Sequence, residues 1–153
     1  MEDLDRRAML GLLREELIAH LALVDGEEPY VTPISYVHMG DAIYLRTGPG
    51  RRLDLIRGGR QVCIEASRHV NENGDWESVL VWGRSAVLES GDEADEAIGM
   101  LLFKYRSVFT ATAAYVGPAP LAPGEVVVKV PIERMTGRRS EAGFGIPLRP
   151  GRL

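Results

Sequence analysis

The segment ESVLVWGRSAVLE, residues 77–89, is apolar at odd and even positions alike. Leu80, Trp82, Ala86 and Leu88 alternate with Val79, Val81 and Val87. Successive side chains of a strand point to opposite faces, so a strand of this kind needs cover on both. A small barrel supplies it: one face points inward, and the other meets a helix or a second subunit. Gly83, in the middle of the run, predicts a bulge or the close approach of another backbone.

Five further β-rich runs accompany this one. Turn residues at Asp25-Gly26 and Gly40-Asp41 separate strands expected near 17–24, 29–38 and 42–47, which suit an antiparallel meander. QVCIEAS (61–67) and GEVVVKVPIERM (124–135) give two more. Leu4, Ala8 and Leu12 recur at helical spacing behind Asp3 as a candidate N-cap. A clearer helix carries Ala94, Ile98, Leu101, Leu102 and Tyr105 on one face, with Ser90 and Glu93 read as a capping box. The expectation is one domain over 1–138 and a tail over 139–153 that is flexible or packed on a partner subunit.

With 153 residues, 45% of them hydrophobic, the chain can bury one ordinary core. A net charge of −4 argues against general nucleic-acid binding. One cysteine, Cys63, precludes an internal disulfide. No run approaches a membrane span and no signal sequence opens the chain, so a cytoplasmic location is expected. His20, His38 and His69 lack ligand spacing, so no metal is expected.

Against that acidic background, LRTGPGRRLDLIRGGR (45–60) holds Arg46, Arg51, Arg52, Arg57 and Arg60 with a single acid, Asp54. Gly48-Pro49-Gly50 ends a strand, and Arg51–Arg57 suits a short helix closed by Gly58-Gly59. A helix start presents unpaired N–H groups, and guanidinium forks suit phosphate oxygens. The plain alternative is a solvated helix face. The sequence lacks the Gly-Lys-Ser/Thr ending of a P-loop.

The order of VTPISYV, IYLRT, the Gly-rich turn with two arginines, LDLIRGGRQVCIE and ESVLVWGRSAVL resembles the pyridoxamine 5′-phosphate oxidase-like family, and within it the nitroimidazole-reductase-like branch. The resemblance implies a mainly β fold: a six-stranded antiparallel split β-barrel of the FMN-binding type, with flanking helices. It also implies a homodimer with FMN, or alternatively the deazaflavin F420, at the subunit interface. Arg51 and Arg52 would hold the phosphate. Pro33, Ile34, Ser35 and Tyr36 would run along the flavin ring, and Arg46 and Thr47 would lie near the ribityl chain or phosphate. Ser78 takes the place of a longer residue that reaches the other subunit's flavin.

Two departures narrow the expectation. True pyridoxamine 5′-phosphate oxidases carry a C-terminal Arg-x-His-x-Arg-like element, whereas this chain has no histidine after His69. Arg46 stands where many relatives of the nitroimidazole branch have a histidine. Neither vitamin B6 nor nitroimidazoles are therefore implied as the small-molecule substrate. The implied activity is that of an oxidoreductase with no named catalytic residue; a non-catalytic flavin binder or sensor is the second reading.

Overall fold

The computed structural model describes residues 1–72, 74–109 and 121–140. In chain order the elements are β1 (Glu2–Asp3), α1 (Arg6–Glu15), β2 (Ala19–Asp25), β3 (Glu28–Ile34), β4 (Tyr36–Met39), β5 (Ala42–Thr47) and α2 (Arg51–Arg57). There follow β6 (Gln61–His69), β7 (Trp76–Arg84), β8 (Ala86–Val87), α3 (Asp92–Lys104), α4 (Arg106–Phe109), β9 (Val126–Pro131) and β10 (Arg134–Ser140). Among these residues no helix is long and apolar enough to cross a membrane.

The strands form two antiparallel sheets, ordered β1-β10-β7-β6-β2-β3 and β4-β5-β9-β8. Three of the six expected strands change sheet midway. The run at 29–38 divides at Ser35 into β3 and β4. The run at 77–89 divides at Ser85 into β7 and β8, and the last divides after Pro131 into β9 and β10. Chain paths shared in this way between two sheets make the split barrel. The six paths match the sequence reading; the breaks do not show in it, because one or two polar residues between apolar runs also fit an unbroken strand.

The barrel interior is filled by Leu21, Ile43, Leu45, Ile64, Val79 and Val81, each fully buried. Leu12 and Leu13 of α1 and Ile56 of α2 join the same cluster. The outer face of the four-stranded sheet offers Val37, Tyr44 and Val127, and α3 covers it with Ala97, Ile98 and Leu101. Burying a side chain of this size stabilises by about 1.5–3 kcal/mol. The outer face of the larger sheet carries Leu80, Trp82 and Cys63, all half-buried. Trp82 therefore lies outside the barrel core, under the Arg134 guanidinium at 3.6 Å from its ring centroid. Cys63 is half-buried rather than enclosed, and burial pushes its thiol up.

Both expected helix caps move. Asp5, not Asp3, caps α1, its Oδ1 accepting from the Ala8 N–H at 2.8 Å. Asp3 is instead paired with Arg138 in β1. Gly91 is the N-cap of α3, with no side-chain cap bond. Glu93 accepts from the Tyr44 hydroxyl at 2.7 Å and from Lys129 at 2.5 Å, both across from the four-stranded sheet. Those partners hold the carboxylate away from its own helix end.

The expected tail is ordered through Ser140, because β10 pairs with β7 from Arg134↔Trp82 to Ser140↔Trp76. Arg139 donates to Glu77, which is 2% exposed, and Arg68 donates to the same carboxylate at 2.9 Å. The remaining tail, 141–153, lies outside the described residues.

Candidate functional site

β5 ends at Thr47, and the chain turns through Gly48-Pro49-Gly50 into α2. Gly50 adopts φ +144°, which L side chains rarely reach. The turn thereby sets the start of α2 beside the ends of β5 and β3. Leu53 and Ile56 anchor the helix to the barrel at 3% and 1% exposure.

Arg51 and Arg52 leave this helix in different directions. Neighbouring residues of an α-helix do not share a face. Arg51 donates from Nε to Asp25 and from Nη2 to Glu28, each at 2.9 Å, and its guanidinium lies 4.6 Å from the Tyr30 ring centroid. It clamps the β2–β3 hairpin. The carboxylates of Glu28 and Asp25 raise its pKa through these hydrogen bonds.

Arg52 turns the other way. Its Nε donates to Thr47 Oγ1 at 3.0 Å and its Nη1 to the Pro33 carbonyl at 3.2 Å. Among the described residues, Arg52 has no carboxylate partner. Thr47 is 3% exposed and fixes the fork through its hydroxyl. β3 is the last strand of its sheet, where proline is tolerated because no N–H is needed on the open side. The Pro33 carbonyl is thus free to receive Arg52.

A cleft of about 320 Å³ opens beside Arg52. Pro33, Ile34 and Ser35 form one wall at the point where the chain leaves the larger sheet, and Arg46 lines it from β5. The opposite wall is α3, through Leu101, Leu102 and Tyr105. Arg46 is already engaged, donating to Glu125 at 2.6 Å. The Arg46 hydrogen bond, with help from the Ala122 N–H, holds the Glu125 carboxyl below its usual range.

Tyr105 ties the walls together. Its hydroxyl accepts from the Tyr36 N–H at 2.9 Å and donates to the Leu17 carbonyl at 2.5 Å. Burial raises its phenol pKa, opposed by hydrogen bonds with Tyr36 and Ser35. Tyr36 itself points into the core and is fully buried, and it does not line the cleft.

Of the nine residues singled out from sequence, Pro33, Ile34, Ser35, Arg46 and Arg52 line the cleft. Thr47 supports Arg52 from behind. Tyr36 is buried in the core and does not reach the cleft, and Arg51 serves the hairpin. Ser78 lies on the outer face of the larger sheet, between Ser67 and Arg138. Sequence reasoning assigned Leu101, Leu102 and Tyr105 only to a core-facing helix. Their stripe is wide enough to serve both the core and the cleft, and only the width hinted at a second role.

A split barrel with a basic, apolar-walled cleft between a sheet junction and a helix defines the class. The chain belongs to the pyridoxamine 5′-phosphate oxidase family, whose sequence model matches residues 5–139. An uncharacterized protein of Rhizobium meliloti strain 1021 is 31% identical over 81 residues, a segment spanning 53% of this chain and 53% of that protein. The match thus spans about half the length of that relative.

Two solved structures share the fold. A FAD-binding protein from Mesorhizobium loti superposes with a TM-score of 0.73 at 23% identity, covering 92% of this chain and 98% of that one. A putative 5-nitroimidazole antibiotic resistance protein from Bacteroides thetaiotaomicron gives a TM-score of 0.71 at 22% identity, covering 92% and 90%.

Proposed function

We propose that the chain is a flavin-binding oxidoreductase of this family that works as a homodimer on a small molecule. The observation that carries the reading is Arg52: a guanidinium held by Thr47 and the Pro33 carbonyl, without a carboxylate partner among the described residues, at the wall of the cleft. A phosphate is the ligand group that a preset fork of this kind suits. Pro33 and Ser35, both exposed at the sheet junction, suit the polar edge of a flavin ring, and Leu101 and Leu102 suit its apolar face. A likeness to a FAD-binding protein supports the same reading. FMN is the form proposed here.

When bound, the flavin supplies the electron-transfer chemistry, and the protein binds, orients and shields. In this reading Arg52 holds the phosphate and Thr47 keeps its fork in place. Tyr105 fixes the lip of the cleft, and the leucines exclude water from one side of the ring. The half-buried outer face with Leu80, Trp82 and Ser78, continued by the 61%-exposed Val31, is the proposed dimer surface.

A specific observation favours the second reading, a non-catalytic flavin or F420 sensor. The ionisable groups lining the cleft are two arginines and a hydrogen-bonded tyrosine, and none suits proton transfer near neutral pH. Titration of the purified protein with FMN, FAD and F420, followed by turnover assays with NAD(P)H and electron acceptors, tests both readings. Binding of FMN with turnover supports the enzyme, and binding without turnover the sensor. Failure to bind any flavin overturns both. Sedimentation should give twice the 16.8 kDa chain mass, and a monomer would remove the proposed interface.

A further inference from the structure

A second cavity, of about 340 Å³, lies on the other side of α3. Four of its lining side chains are basic: Arg14 of α1, His38 of β4, Lys104 of α3 and Arg106 of α4. None is acidic, in a chain whose net charge is −4. The rest of the lining is apolar: Val37, the 40%-exposed Met100 and the 60%-exposed Phe103.

Two of the basic groups, Lys104 and Arg106, are held in place. Lys104 Nζ donates to the Leu13 carbonyl at 3.3 Å and stands 3.7 Å from the Tyr36 ring centroid. Capping the end of α1 is one role for it, yet that uses a single ammonium hydrogen of three. Arg106 lies over the Phe103 ring at 3.9 Å and donates to the Phe103 carbonyl at 2.8 Å. His38 is 9% exposed, and its Nε2 has no hydrogen-bond partner. A buried polar atom left unpaired is costly and calls for an explanation.

We propose that this cavity binds a small monocarboxylate with an apolar body, its carboxylate against Lys104, Arg14 and Arg106 and its hydrocarbon against Phe103, Met100 and Val37. The proposal is independent of the flavin reading, because no residue is shared with the Arg52 cleft.

Lys104 makes the site pH-dependent. Burial lowers its pKa to about 8, with Glu16 opposing. The groups facing it are Arg14 from α1 and Glu16 just after it, His38 and the Tyr36 ring from β4, Tyr105 just after α3 and Arg106 from α4. The charged ammonium is present below that pKa and lost above it. Carboxylate affinity therefore falls about fivefold between pH 7 and pH 9.

Calorimetric titration of the full chain, with any cofactor it retains, tests this with phenylacetate and its uncharged analogue phenylacetamide. Phenylacetate should bind at pH 7 at least about tenfold more tightly than the amide. Lys104→Met should lose about tenfold of the phenylacetate affinity, and Lys104→Arg should keep it while flattening the change between pH 7 and 9. Arg14 is exposed, so Arg14→Gln will fold, and it should weaken phenylacetate severalfold. Equal binding of acid and amide, no binding of either, or phenylacetate binding untouched by Lys104→Met and Arg14→Gln would each overturn the proposal. So would phenylacetate binding that is lost only with Arg52→Ala.

Discussion

A Cβ placed on Gly83 would sit 1.9 Å from the carbonyl oxygen of Pro131. The end of β9 passes over β7 at this point, just before the chain crosses into β10. The Glu133 N–H then donates to the Trp82 carbonyl at 3.0 Å, which completes the crossing. Gly83→Ala should push the two sheets apart and destabilise the protein by about 3 kcal/mol. Urea denaturation of the variant measures this, and a loss below half that value would mean the crossing relaxes easily.

The charge pair Arg51–Arg52 predicts unequal effects from equal substitutions. Arg52→Ala removes from the cleft a fork that has no carboxylate partner among the described residues, and should weaken FMN binding by about ten- to a hundredfold. Arg51→Ala releases Asp25 and Glu28 on the hairpin, and should lower stability only slightly with little change in FMN affinity. Fluorescence titration of FMN with both variants decides the matter. Equal losses would place both arginines on the phosphate.

This asymmetry also shows what the sequence carried and what it withheld. The Gly-Pro-Gly turn and the local excess of arginine were visible, and so was the demand for two covered faces around Val79–Val81. Gly83 read correctly as a close approach. Which arginine faces the cleft was not visible, because it depends on where Asp25 and Glu28 lie across the barrel. The strand breaks at Ser35 and Ser85 were hidden for a related reason: a serine between two apolar runs fits an unbroken strand equally well, and only long-range pairing reveals the change of sheet. Capping by Ser90 failed because Glu93 found stronger partners in Lys129 and Tyr44.

Glu125 competes with any anion in the cleft for Arg46. Their bond at 2.6 Å occupies one guanidinium fork that would otherwise face a ligand. Glu125→Gln should free that charge and tighten FMN binding two- to fivefold at low ionic strength. The gain should shrink in about 0.5 M salt, where exposed charges are screened. Unchanged affinity at low salt would show that Arg46 lies beyond reach of the phosphate.

Glu77 links the last strand to the barrel. Burial alone would raise its carboxyl pKa, but hydrogen bonds from Arg139 and Arg68 outweigh that and hold it below its usual value. A carboxyl whose pKa is depressed by folding stabilises above its unfolded value, near 4.5, and the contribution disappears as pH falls through the lower folded value. Glu77→Gln should therefore cost about 2–3 kcal/mol at pH 7, discounted for the part-exposed arginines, and progressively less as pH falls below 4.5. Thermal melts of both proteins across this range test the sign. A deficit that grows on acidification would reverse it.

Tyr105 separates binding from stability at the lip of the cleft. Its hydroxyl satisfies the Tyr36 N–H and the Leu17 carbonyl, while its ring lines the cavity. Tyr105→Phe keeps the ring and deletes the oxygen, which leaves a buried N–H and a carbonyl without their shared partner. The expected cost is about 1–3 kcal/mol, read as a lower urea midpoint with an unchanged slope. FMN affinity should change less than in Arg52→Ala, because the apolar wall persists. A variant as stable as the parent but with much weaker FMN binding would show that the phenol touches the ligand directly, and that its bonds to β4 and the end of α1 are incidental to the fold.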